Sequence, residues 1–202
     1  MWKPLRSPRK GTTVLGIDPG FSKMGAGVLY QAESNAPLVP VAVSYCETKP
    51  DTKKQKNLRV NVDDSRRLRE IWDWLVSLQA EHHPNGIGVE AYSPGRPVGG
   101  REQGAANKAW KASMGYSLVY ALAWGNGIPI FTFIPQDVKR AFHLKGSTSK
   151  EDVAKTLSLK WPVLPGLIDG RAKKQHEHLY DGIALAHLAF EEIYNMRALM
   201  GV

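Results

Sequence analysis

The chain has 202 residues, 43% of them hydrophobic, enough for one domain with its own core. Cys46 is the only cysteine, which excludes an intrachain disulfide and a cysteine-rich zinc site and suits a reducing, cytoplasmic setting. Lys and Arg outnumber Asp and Glu 27 to 19, a net charge of +8 that attracts polyanions, and no apolar run nears the ~20 residues that cross a bilayer.

Residues 1–11 read as a basic arm without the apolar stretch of a signal peptide, a solvated tail that also draws in DNA. Residues 12–202 read as one domain. Three strands are predicted near 12–18, 25–31 and 38–46. A polar, lysine-rich loop spans 49–59. From Ser65, the recurrence of Leu68, Ile71, Trp72, Leu75 and Leu78 predicts a helix, which Pro84-Asn85-Gly86 ends. A short buried strand follows at Ile87–Glu90. The stretch from Ser93 to Arg101 is a glycine- and proline-rich loop whose Arg96 and Arg101 are candidate phosphate contacts. A long helix is expected from about Gln103 to Trp124, carrying Trp110, Met114, Leu118 and Leu122 at spacing four, either as a partner-facing stripe or as core. A strand at 128–134 and a helical turn at 136–142 come next. Ser149 is placed to cap a helix from Lys150, and a final helix runs from about Glu177 to Met200. The order βββαβαβα argues for one mixed α/β sheet flanked by helices.

In this order, Asp18 ends the first strand before Pro19-Gly20, Glu90 ends a neighbouring strand, and His178 and Asp181 share one face of the last helix at i, i+3. Singly each has an ordinary alternative. Asp18 could be a turn residue, Glu90 an arginine partner, Asp181 a cap or salt-bridge residue, and His178 a solvated helix residue. Together they form a set able to bind hard divalent cations. Two such ions ~3.5–4 Å apart activate water and stabilise the leaving oxygen in many nucleases. The glycines Gly25 and Gly27 suggest bare backbone that a phosphate could approach.

The motifs Leu15-Gly16-Ile17-Asp18-Pro19-Gly20, Val89-Glu90, Val138-Lys139, Ser147–Val153 and His178-Leu179-Tyr180-Asp181-Gly182 resemble those of the RuvC-type Holliday junction resolvases. The resemblance covers roughly residues 12–190 and implies a ribonuclease H-like, five-stranded mixed sheet. It implies Asp18, Glu90, His178 and Asp181 as the metal-binding catalytic set. Lys139 and Lys150 would then be lysines near the scissile DNA, either catalytic or general DNA contacts. Two Mg²⁺ ions per site are implied, with Mn²⁺ able to substitute. The further DNA-contact candidates are Tyr92, Arg96, Arg101, Lys108 and Lys145. Tyr92 stands beside Ser93, which occupies the place where the family often carries a stacking aromatic.

The activity implied is symmetric hydrolysis of four-way DNA junctions by a homodimer in recombination, repair or phage DNA processing. The setting is a bacterial or host cytosol, without a membrane partner, and branch-migration machinery is a candidate partner. A broader branched-DNA nuclease and a junction-binding module without cleavage are the alternatives.

Overall fold

A computed structural model describes residues 11–51, 60–91 and 102–200, and the side chains of residues 60, 61 and 102–108 are outside the described set. Five strands form one sheet in the order β3-β2-β1-β4-β5. They are β1 (Thr12–Asp18), β2 (Lys23–Gln31), β3 (Val39–Glu47), β4 (Gly86–Glu90) and β5 (Ile130–Phe133). The first three are antiparallel neighbours, while β1 pairs with β4 and β4 with β5 in parallel. Parallel pairing needs long crossovers. Helices α1 (Val60–His82) and α2 (Glu102–Gly125) lie within these two crossovers. After β5 come α3 (Pro135–Ala141), α4 (Lys150–Lys160), α5 (Leu164–Ile168) and the 28-residue α6 (Lys173–Met200).

Both faces of the sheet are covered, which is why β1 is buried along nearly its whole length. Side chains alternate across a strand. Leu15, Ile17, Ala26, Val28, Ile87 and Val89 therefore join Ile71 and Leu75 of α1 and Val119 and Leu122 of α2 in one core. Val14 and Leu29 project the other way, into a core with Leu157, Ile168, Ile183 and Leu185.

On that second face, the central strands present glycine where side chains would otherwise stand. A Cβ on Gly16 would lie 2.0 Å from the Gly182 carbonyl oxygen, and one on Gly25 would lie 2.2 Å from that of His178. Cβ atoms on Gly27 and Gly88 would likewise meet backbone atoms of Ile183 and Leu185 at 2.5 and 2.2 Å, while Gly86 faces the Ile193 side chain. Helix α6 thus rests on sheet backbone. This corrects the expectation that Gly25 and Gly27 leave backbone free for a phosphate: α6 occupies that space.

The predicted strands hold to within two residues, β5 being shorter at both ends. Helix α1 begins at Val60 instead of Ser65, because its first turns are polar; Arg66 pairs with Asp63 and Glu70 there. Helix α5 was not anticipated. Pro165 and Gly166 argue against a helix in sequence, yet Pro is tolerated in a first turn, and buried Leu164 and Ile168 anchor the segment. Helix α6 starts one turn before Glu177. The spacing-four stripe on α2 divides: Leu122 is core, whereas Trp110 is 62% exposed. The basic arm at residues 1–10 lies outside the described residues.

Candidate active site

The last ladder pair of β1 and β2 is Asp18 with Gly25, and β1 and β4 stay in register through Ile17 and Val89. Asp18 and Glu90 are therefore the next residues on adjacent parallel strands. By alternation they share the α6 side with Gly16 and Gly88. With glycine beneath it at Gly16, Gly25, Gly27 and Gly88, α6 brings His178 and Asp181 down to the same strand ends. His178 Nδ1 lies 2.5 Å from Asp18 Oδ2, and the Tyr45 ring of β3 sits 5.9 Å from the imidazole.

This gathering perturbs the acids. Burial, then the charges of Asp18 and Asp181, push the Glu90 carboxyl up to about 7. Burial and the Asp18 charge do the same to Asp181, again to about 7, against the opposing pull of Lys150. His178 moves upward, chiefly through its hydrogen bond to Asp18, although burial opposes this. Perturbed titration of clustered groups in a cleft is a mark of functional sites.

The cleft has a volume of about 260 Å³ and is lined by Glu90 and Asp181 with Lys139, Thr148 and Lys150. Lys139 opens from α3, and its Nζ donates to the Gly146 carbonyl at 2.5 Å. Lys150 is the first residue of α4, after the Ser149 cap, whose Oγ accepts from the Asp152 amide. Its ammonium pairs with Glu177 and lies 3.8 Å from Asp181. A larger cavity of about 730 Å³ lies at the opposite end of the sheet, by Thr12, Gln31 and Arg197, and contains none of the four residues.

The structure therefore brings together Asp18, Glu90, His178, Asp181, Lys139 and Lys150. Lys145 is exposed in the loop before α4. Tyr92, Arg96 and Arg101 lie outside the described residues; Lys108 lies on α2 with its side chain outside them. Sequence reasoning missed Glu177 and Tyr45. Glu177 precedes His178 and could have been read as a partner for a nearby lysine; nothing in the sequence places Tyr45.

No protein-family model matches the chain. The crossover junction endodeoxyribonuclease RuvC of Salinispora arenicola (strain CNS-205) is 31% identical over 160 residues, covering 75% of this chain and 78% of that protein. The chain belongs to the RuvC family of crossover junction endodeoxyribonucleases. The RuvC of Pseudothermotoga lettingae is 24% identical over 182 residues, covering 89% of this chain and 96% of that one. Among solved structures, Thermus thermophilus RuvC in complex with a Holliday junction substrate is similar at a TM-score of 0.63 and 22% identity, over 94% and 97% of the two chains. The fowlpox virus Holliday junction resolvase matches at a TM-score of 0.55 and 10% identity, over 90% and 99%. These likenesses in shape establish the ribonuclease H-like fold.

Among the described residues, no three His, Cys, Asp or Glu side chains stand in metal-binding geometry. The donor chemistry of this RuvC-family site nevertheless fits a divalent cation. Three carboxylates offer hard oxygen ligands, and burial, then repulsion from Asp18, raises the Glu90 and Asp181 carboxyls to about 7, which favours their protons. A cation would relieve that repulsion and compete with those protons.

Proposed function

We propose that this chain resolves four-way DNA junctions as a divalent-metal-dependent endonuclease, with Asp18, Glu90 and Asp181 holding the metal. What carries the reading is the gathering of three carboxylates and one imidazole at the strand ends, two of the acids lining a cleft with Lys139 and Lys150, in a chain of net charge +8. Mg²⁺ is the expected ion, two per site, with Mn²⁺ able to substitute; bound there, it supplies Lewis-acid activation of water and of the leaving oxygen.

The residues divide the remaining work. Asp18 fixes the His178 ring through Nδ1. In the neutral tautomer with Nδ1 protonated, Nε2 is the acceptor, placed to take a proton from the attacking water. The water oxygen bonds to phosphorus, the bond from phosphorus to the 3′ oxygen breaks, and the 3′ oxygen takes up a proton. The products are 5′-phosphate and 3′-hydroxyl ends. Lys139 and Lys150 offset the charge that builds on the phosphate oxygens. For Lys150 this requires an exchange of Glu177 for phosphate.

A four-way junction needs two opposed cuts, which a two-fold homodimer supplies. Exposed Trp110 and Trp124 on α2 support a second copy at that helix. Residues 12–202 would then act as one nuclease domain in the cytosol, with branch-migration machinery as a further partner. Among the described residues no helix is long and apolar enough to cross a membrane.

The test is an immobile four-way junction against a matching linear duplex. The wild-type protein with Mg²⁺ should make paired cuts in the junction alone, and Asp18→Asn should abolish them. Equal cutting of both DNAs would remove the junction reading, and binding without any metal-dependent cut would leave a recognition module.

A further inference from the structure

Beyond the last ladder pair, Asp18 with Gly25, the chain turns through Pro19, Gly20, Phe21 and Ser22 before β2 proper. That turn carries Asp18, yet its conformation is held largely from outside by one buried arginine. Arg67 of α1 is only 3% exposed. Its Nη2 donates to Ser22 Oγ at 2.7 Å and to the Thr48 carbonyl at 3.3 Å, and its Nε donates to Thr48 Oγ1 at 3.0 Å. Thr48 relays the contact: its hydroxyl donates to the Phe21 carbonyl at 2.7 Å, and its amide donates to the Ser22 carbonyl at 3.0 Å. The guanidinium carbon stands 4.1 Å from the Phe21 ring centroid.

A second contact closes the assembly from α2. Lys111 reaches Asp64, the neighbour of Arg67 on α1, at 2.8 Å, and its ammonium lies 5.4 Å from the same Phe21 ring. A lysine in place of Arg67 could not reproduce this, because an ammonium has no planar fork and stacks less well. Removing the arginine would also leave buried Thr48 oxygens short of donors.

We infer that Arg67 is a positioning residue for cleavage: through Thr48, Ser22 and Phe21 it fixes the β1–β2 turn and so sets the Asp18 carboxylate against Glu90 and Asp181. The inference rests on the reading of Asp18 as a metal-holding acid. Misplacing a reacting group by about 1 Å is enough to cost on the order of 100-fold in rate. Arg67 touches none of the reacting groups, so its loss should act on metal affinity and the chemical step, leaving DNA affinity alone.

The experiment compares wild type, Arg67→Met, Arg67→Lys, the milder Thr48→Val and Asp18→Asn, each well below its melting temperature. It measures single-turnover junction cleavage, junction binding in EDTA, and calorimetric titration of Mn²⁺ into the protein without DNA. Arg67→Met is expected to bind junctions as wild type does, to bind Mn²⁺ several-fold more weakly, and to cleave at least about 10-fold more slowly at saturating DNA. Arg67→Lys should recover part of the loss, and Thr48→Val should show the same pattern more weakly. Should Arg67→Met not fold, Thr48→Val alone decides. Wild-type Mn²⁺ affinity and cleavage rate in the folded variants, with Asp18→Asn inactive, would overturn the positioning role and leave the active-site reading standing. An active Asp18→Asn would overturn both.

Discussion

His178 Nδ1 and Asp18 Oδ2 lie 2.5 Å apart, joining residues 160 positions distant in the chain. The contact is the point where the last helix meets the first strand, and it gives the imidazole one orientation. His178→Gln should therefore keep junction binding and lose cleavage by about 100- to 10,000-fold, the usual worth of a general base. Single-turnover gels beside electrophoretic mobility shifts would check this. A variant that cleaves normally would place His178 outside the chemistry.

Lys150 spans Glu177 and Asp181 at the mouth of the cleft. Lys150→Ala is expected to slow cleavage by about 10- to 1,000-fold, as loss of one charge-stabilising donor commonly does. Junction affinity should fall only slightly, since one cation among many contributes little to phosphate binding. A large affinity loss with unchanged single-turnover rate would assign Lys150 to DNA contact alone.

Chelation separates the two functions of the site. With EDTA, the protein should bind junctions in mobility shifts and make no cuts, and added Mg²⁺ or Mn²⁺ should restore paired cutting. Cutting that persists in EDTA would exclude the carboxylate set as a metal site.

A methyl group at Gly16 would meet Gly182 and Ala186 backbone atoms at 2.0 and 2.3 Å. Neither atom belongs to a flexible side chain, so the helix itself must move. Gly16→Ala should lower stability by at least about 1–3 kcal/mol, the cost of overpacking a core. Denaturant unfolding would measure it. Residual folded protein should cleave poorly, because the same shift carries His178 and Asp181 away from Asp18.

His187 gives the fold a pH dependence of its own. It is 6% exposed, ringed by Phe142 and Trp161, and accepts from Lys160 Nζ at 2.9 Å. Burial, then the Lys160 charge, push its titration down to about 4. Glu191 lies 3.2 Å from the same nitrogen and favours the charged ring, but it is half exposed and screened. The unfolded chain takes up the proton near 6.5 and the folded chain only near 4. Stability is thus full above about 6.5 and falls as pH drops toward 4, by at most about 3 kcal/mol. Unfolding midpoints at pH 7.5 and 5 should differ less in His187→Gln than in wild type.

Much of this was legible in residue order. The strand that ends in Asp18 and the strand that ends in Glu90 both read correctly, because fully buried parallel strands are short apolar runs closed by a polar residue. The i, i+3 spacing of His178 and Asp181 fixed their common face. Gly25 and Gly27 of β2 were misread. Their role depends on what lies across from them, and α6 is more than 140 residues away in sequence. Tyr45 and the Arg67 contacts were hidden for the same reason. Nothing in the sequence sets Arg67 apart on α1, because periodicity cannot tell a buried arginine from a solvated one.

Over the strand ends that carry the site, the seat of α6 has no rotamers in it. Where Gly16, Gly25 and Gly27 lie beneath Gly182 and His178, the spacing between helix and sheet is fixed by peptide atoms in contact. The gauge of the site, from the acids on the strands to those on the helix, is then a property of the main chain.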